Sequence, residues 1–396
     1  MTAILGNLLS LETRCLPDSL AASVDKEAHR LLGPPCCSVR ELESAPKPHR
    51  ARASRMLPDG DRAGLFACCA LRTPSGRAPA SQSAVFDFDF VIATHNRSAL
   101  LACTLASFAG IRCPPGRTFR VTVVANACSD DTSAAVARLV DDSPFPPRYL
   151  EQPIAGKSCA LNMGVAACDA EWIAFVDDDE RIAPDWLEVF DEARERLGFD
   201  FAGGRYIAEY EAAPPDWLPA RHLAPVIACH PGDVSEGRVE QAQNLVWGGN
   251  FIVRREALQR TGEFDVEFAR HPTLMALGCE DADMVQRLLA VGYVGWFLPG
   301  MQIQHWTPQD RLTRTYFRRK IYGHGYTGRR YEQSRRAAMR RQVMWLGLPR
   351  WRWRAVMQGV VGYCAATLRG ARPDAFGHEL DLWWIAGYLK AAGEED

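Results

Sequence analysis

Nowhere do the 396 residues offer the ~18 uninterrupted apolar positions that a membrane-crossing helix needs. Contact with a bilayer is therefore expected to be peripheral. There is no CxxC pair among the 13 cysteines, although Cys36–Cys37 and Cys68–Cys69 are neighbours. An odd count without metal-like spacing reads as reduced thiols in a cytosolic protein. No basic stretch precedes an apolar core at the start, where Glu12 stands instead, so the opening reads poorly as a secretory leader. Net charge is nearly absent, a formal −2, which speaks against nucleic acid as the partner of the whole chain. What remains is ordinary globular material. Hydrophobic residues make up 47% and charged residues 24%, enough for a core that needs no staples.

The chain is long enough for two or three units. Residues 1–84 have no sustained period and are interrupted by prolines such as Pro34, Pro35, Pro46 and Pro48. They are expected to form a poorly ordered extension, with a short helix over 20–32. From Asp87 the pattern changes. Apolar runs at 88–93, 120–124, 149–151 and 172–176 read as strands, and 98–108, 132–140, 158–168 and 184–197 as helices. Strand followed by helix, four times, predicts an α/β domain over 85–310, with a mostly parallel sheet covered on both faces. Ligands of such sheets collect at the carboxyl ends of the strands. There stand Thr94–Arg97, Asn126–Asp131 and Asp177–Asp179. Residues 201–204, 244–254, 295–297 and 301–304 read as further extended pieces, 281–291 as a helix, and 311–396 as a basic helical tail.

Four local signals carry chemistry. The strand at 172–176 delivers Asp177, Asp178 and Asp179 side by side. Adjacent carboxylates repel one another unless a cation is near, and their hard oxygens suit Mg²⁺ or Mn²⁺. The plainer alternative is a solvated acidic turn capping the next helix. Glu280 and Asp281 follow Gly278-Cys279 and open a helix, where carboxylates either complement its dipole or serve as a general base. Lys157 in Gly156-Lys157-Ser158 also opens a helix. Glu151 stands where a phosphate-binding P-loop needs its first glycine, which excludes that motif. Lys157 is then either an exposed lysine or a contact for a diphosphate. His305 ends an extended piece, either as a packing residue or as the imidazole that completes a carboxylate metal shell.

The order of these motifs resembles that of the family-2 glycosyltransferases with the GT-A fold. The resemblance rests on VIATHNR (91–97), VVANACSDDT (123–132), GKSCALNMG (156–164), FVDDDE (175–180), GGNFIVRREAL with TGEFD (248–265) and ED (280–281). It runs from Phe88 to Gly328, about 60% of the chain. It implies a GT-A nucleotide-binding fold and an inverting transfer of sugar from a nucleotide-sugar donor to a hydroxyl. Asp179 and His305 would hold the divalent metal, Mn²⁺ or Mg²⁺. Asp177 would contact the nucleotide ribose or the metal shell, and Asp178 would face the donor. Asp281 would be the catalytic base, with Glu280 orienting it or the acceptor. Thr94, Asn96 and Arg97 match the first nucleotide-binding loop, Asn126 and Asp130 the second, and Lys157 a base or phosphate contact. Gly248, Gly249 and Asn250 would let the backbone approach the donor sugar. His95 and Ala125 depart from the family's base-reading residues, so the nucleotide stays open. The QxxRW signature of processive members is absent, which implies one sugar per binding event.

The tail holds the charge that the average hides. Between Arg311 and Arg354 stand 13 arginines and one lysine against one acidic residue, Glu332. Tryptophans and tyrosines lie among them. Such a segment either rests on anionic lipid or packs on the catalytic domain with its arginines in solvent. The first alternative predicts peripheral attachment to the inner face of the cytoplasmic membrane and an acceptor that is a saccharide or a lipid-linked saccharide. A polyprenyl-phosphate acceptor and a non-catalytic nucleotide-sugar binder are the rival functions.

Overall fold

A computed structural model describes residues 86–142, 145–230, 232, 234–240, 246–266, 280–334, 344–345, 348–350 and 352–394. The expected extension at 1–84 and the Gly278-Cys279 pair lie outside the described residues. The chain divides into Met1–Pro79 and Ala80–Asp396, and everything described below belongs to the second unit.

Four strands run parallel: β1 (Phe88–Thr94), β2 (Phe119–Asn126), β3 (Arg148–Gln152) and β4 (Trp172–Asp177). Helices α1 (Ser98–Phe108), α2 (Thr132–Asp142) and α3 (Lys157–Ala167) connect them in turn. Alternation along β1 sorts its side chains to two faces. Phe88, Phe90 and Ile92 pack with Leu101 and Phe108 of α1 and with Trp186 and Phe190 of α4 (Trp186–Leu197). Val91 packs on the other face with Ala160 and Leu161 of α3. Both faces of the sheet are thus dry, as a parallel sheet requires.

Beyond β4 the sheet turns mixed. Its order is β3-β2-β1-β4-β8-β6-β9-β5, with β7 (Gly237–Val239) also on β9. β8 (Phe251–Arg254) is antiparallel to β4 and to β6 (Phe201–Tyr210), and β5 (Glu180–Ile182) is antiparallel to β9 (Gly295–Thr307). The sheet has as many antiparallel as parallel pairings, a larger antiparallel share than strand–helix alternation suggests. β9 replaces the two short pieces read at 295–297 and 301–304. It runs through Pro299 and Gly300 because its ladder with β6 shifts register between Gly204 and Arg205, which absorbs the interruption. Short helix α5 (Leu223–Ile227) follows β6, α6 (Arg255–Thr261) follows β8 directly, and α7 (Glu280–Val291) precedes β9.

The C-terminal region is three helices, α8 (Arg314–Ser334), α9 (Arg352–Leu368) and α10 (Arg372–Ala392), with a small ladder, β10 (Met344–Trp345) and β11 (Leu348–Pro349), between the first two. α8 and α10 meet at glycines. A Cβ on Gly325 would stand 1.8 Å from the Trp384 carbonyl oxygen, and one on Gly387 1.9 Å from that of Tyr322. Only side-chain-free positions allow two helix backbones to come so near. Phe317 and Ile321 of α8 join Phe376 and Leu380 of α10 and Val226 and Ile227 of α5 in one apolar cluster. Many arginines of the tail are engaged inside this packing. Arg318 donates to Glu379 at 2.6 Å, Arg314 lies over the Trp217 and Phe376 rings, and Arg352 pairs with Glu332 at 2.9 Å and covers Trp384.

Candidate active site

The parallel strands end in register. Thr94 lies opposite Ala125, and Ala93 opposite Asp177, so three chain turns meet at one edge. The first two turns brace each other. Asn96, at a φ of 53°, accepts hydrogen bonds through Oδ1 from the Ser129 N–H at 2.7 Å and the Asp130 N–H at 3.3 Å. Asp130 accepts from the Ser98 N–H at 3.2 Å, and from the Thr132 N–H at the head of α2. The His95 ring meets the Asn126 carbonyl at 2.6 Å. Asn126 itself is buried. Its Nδ2 donates to the Ile154 carbonyl at 2.7 Å, and its Oδ1 accepts from the Gly156 N–H at 2.7 Å, fixing the turn into α3. Gly156 sits at a φ of 137°, a conformation that favours glycine.

That turn aims Lys157 at the third strand end. Its Nζ lies 2.5 Å from Asp177 Oδ1 and 4.0 Å from Glu280 Oε1. Lys157 therefore ties the end of β4 to the start of α7. Burial alone would lower its pKa, but Asp177 and Glu280 outweigh that and raise it, so it stays charged. Glu280 is buried and pushed up to about 7, chiefly by that burial, with Lys157 opposing and Asp281 reinforcing. Asp281 accepts the Gly248 N–H through Oδ2 and the Ala282 N–H through Oδ1, each at 2.7 Å.

The other carboxylates diverge. Asp178 is buried and turned inward, accepting from Thr94 Oγ1 at 2.7 Å and from Arg97 at 2.9 Å. Burial raises its pKa against the pull of Arg97. Asp179 points to β9, because β5 pairs antiparallel with that strand and sets Glu180 opposite His305. Its Oδ1 lies 3.7 Å from His305 Nε2, and its Oδ2 accepts from Arg97 at 3.2 Å and Arg311 at 3.1 Å. Burial pushes this carboxyl up, but His305, Arg311 and Arg97 together bring it below its ordinary value. His305 Nδ1 meets the Ile227 carbonyl at 2.7 Å, which requires the proton on Nδ1 and leaves the Nε2 lone pair on the Asp179 side. Burial, the main cause, lowers its pKa, so the ring is neutral near pH 7.

Gly248 and Gly249, expected to face the donor, make room for carboxylates. A Cβ on Gly249 would lie 2.2 Å from Glu180 Oε1, and one on Gly248 3.2 Å from the Asp281 Cβ. Asn250 departs from its expected place at the donor. It is fully buried, its Oδ1 accepts from the Trp186 indole at 2.8 Å, and its Nδ2 donates to the Met301 and Arg205 carbonyls. It welds β8 to the α4 side of the core and has no polar atom left for a ligand.

Three residues escape a reading of the sequence. Glu180 is fully buried, donates no signal beyond its place after the acidic run, and accepts the Asp177 N–H through Oε2 at 2.8 Å. Arg311 and Lys320 look like any other cation of the basic tail, yet Arg311 reaches Asp179, and Lys320 feels the fields of Glu280, Lys157 and Asp281. Burial, then Arg311, depresses the Lys320 pKa.

Asp179 and His305 are the pair that would hold a divalent cation. Asp179 Oδ1 and His305 Nε2, 3.7 Å apart, offer the hard oxygen and the neutral imidazole nitrogen that such an ion would take. The Ile227 carbonyl supplies the outer hydrogen bond that metal-binding histidines use to fix their tautomer. The described residues contain no group of three or more His, Cys, Asp or Glu side chains gathered for a metal, so the remaining coordination would fall to ligand oxygens and water.

Residues 89–262 match the family described as Glycosyl transferase family 2. The succinoglycan biosynthesis protein ExoM of Rhizobium meliloti (strain 1021) is 24% identical over 292 residues, covering 72% of this chain and 85% of ExoM. The mannosyltransferase PcManGT from Pyrobaculum calidifontis, solved with GDP-Man and Mn²⁺, superposes with a TM-score of 0.50 at 16% identity, over 82% of this chain and 92% of that one. TarS 1–349 from S. aureus, solved with UDP-GlcNAc, matches with a TM-score of 0.43 at 14% identity, over 78% and 91% of the two chains.

Proposed function

This chain is a family-2 glycosyltransferase with a GT-A fold, its matching domain spanning residues 89–262, and from that premise we propose that it transfers one sugar at a time, with inversion, from a nucleotide-sugar donor to the hydroxyl of a saccharide or lipid-linked saccharide. The place of the reaction is polysaccharide assembly, a reading supported by the likeness to a succinoglycan biosynthesis protein. The observation that carries the chemistry is the Lys157 bridge, which ties Asp177 to the head of α7, where Asp281 stands.

Asp281 takes the proton of the acceptor hydroxyl. Its two oxygens each accept a backbone N–H, which holds the carboxylate in one orientation and leaves lone pairs for the incoming proton. As the acceptor oxygen bonds to the anomeric carbon, the bond to the nucleoside diphosphate breaks, through an oxocarbenium-like transition state. A single displacement inverts the centre. Lys157, Arg311 and Lys320 meet the charge that grows on the departing diphosphate. Asp179 and His305 would hold Mn²⁺ or Mg²⁺, which when bound neutralises that same charge. Thr94 and Arg97 keep Asp178 inward and so shape the donor side of the cleft. Glu280 and Asp281 together favour an enzyme over a pure binder, which has no need of a base.

The test is a panel of nucleotide sugars scored for Mn²⁺-dependent release of nucleoside diphosphate, with Asp281→Asn alongside. The variant is expected to bind donor normally and to lose about 10²–10⁴-fold in turnover. Undiminished turnover removes Asp281 from the base role.

A further inference from the structure

Six large hydrophobic side chains of the described residues are exposed. Three lie on α9, Met357 at 60%, Val361 at 61% and Leu368 at 89%, and a fourth, Trp345 at 66%, lies on β10, its carbonyl accepting from the Trp353 indole of α9. α9 turns Val356, Gly359 and Ala366 inward, with Gly359 against Leu382 and Gly362 against the His378 ring of α10. Spacings of three and four residues put Met357, Val361, Cys364 and Leu368 on one stripe opposite that buried face. The exposed residues Arg350, Arg354, Arg369 and Arg372 flank it, and no acidic residue occurs from Met344 to Pro373. The more heavily charged α8 differs. Several of its arginines are held by Glu379 and by aromatic rings.

We propose that α9 lies flat on an anionic phospholipid surface. Its Met357, Val361 and Leu368 side chains enter the boundary between headgroups and acyl chains, and the flanking arginines pair with lipid phosphates. No helix among the described residues is long and apolar enough to cross a membrane, so the contact is in the plane of the interface. Charge decides the occupant. A second copy of this face would set arginine against arginine, whereas an anionic bilayer offers both the apolar boundary and the opposite charge. This proposal is independent of the sugar chemistry.

Flotation of the full chain with phosphatidylglycerol/phosphatidylcholine vesicles, and with phosphatidylcholine alone, tests it. The wild type is expected to float with the anionic vesicles and to be released by high salt. Val361→Glu/Leu368→Glu is expected to lose at least about tenfold in partitioning. Arg354→Gln/Arg369→Gln is expected to lose about fivefold per arginine. Because all four side chains are exposed, melting temperature and donor turnover on a soluble acceptor should be unchanged. Three results overturn the proposal: no binding of wild type to anionic vesicles, equal binding of the wild type and the glutamate variant, or a stable dimer that the glutamates split, which would make this face a contact between copies.

Discussion

Glu180 and His305 face each other across the antiparallel ladder of β5 and β9, and that single register sets Asp179 within 3.7 Å of the imidazole. The same strand pair thus brings together the carboxylate and the imidazole nitrogen that would hold the metal in the proposed reaction. His305→Asn is expected to weaken Mn²⁺ binding at least ~10-fold. Titration of Mn²⁺ into protein plus nucleoside diphosphate, followed by the resonance of the free ion, reads this out. An unchanged affinity would move the metal away from β9.

Glu280 couples the site to pH. Its folded pKa, about 7, lies above the ordinary value of 4.5. A carboxyl raised on folding binds its proton more tightly in the native state, so its contribution is fully present below about 4.5 and is lost as pH rises to about 7. Between those limits native stability should fall as pH rises. Glu280→Gln should flatten that part of the profile, measured by denaturant unfolding at stepped pH. A slope identical to wild type would contradict the assignment.

Lys157 bridges Asp177 and Glu280 and faces the departing diphosphate in the proposed reaction. Lys157→Met should raise the donor KM about 10–100-fold, the worth of a charged hydrogen bond. Steady-state kinetics against donor concentration checks this. A KM within twofold of wild type would leave the lysine a purely structural strut.

Gly325 marks where α8 and α10 touch backbone to backbone. Gly325→Ala should destabilise the chain by about 1–3 kcal/mol, because its methyl would meet the Trp384 carbonyl. Thermal melting reports it. A change below ~0.5 kcal/mol would mean that the helices can part without cost.

The strand ends were legible in the sequence, since each of β1, β2 and β4 is an apolar run that stops at polar residues, and parallel neighbours end together. The acidic run after β4 was legible for the same reason, but the divergence of its members was not. Asp178 turns in and Asp179 turns to β9 because of hydrogen bonds from Thr94, Arg97 and Arg311, and Arg311 is far away in the chain. Nothing in local spacing tells Arg311 from the arginines of α8 that stack on rings. The sequence suggests two short extended pieces at 295–297 and 301–304, and only the ladder with β6 reveals the register shift that carries β9 through Pro299-Gly300 as one strand. Asn250 carries a motif that suggests ligand contact, yet tertiary packing on Trp186 claims its amide.

The cross-brace between Asn96 and the Ser129–Asp130 turn bears on how quickly a donor can be seated. If these turns take the nucleotide, as in the proposed reaction, they are already fixed to each other, so arrival of the ligand need not freeze them and little conformational entropy is lost there. Slow ordering steps would then belong to whatever admits the acceptor, so donor association should be fast, and its rate insensitive to solvent viscosity beyond simple diffusion.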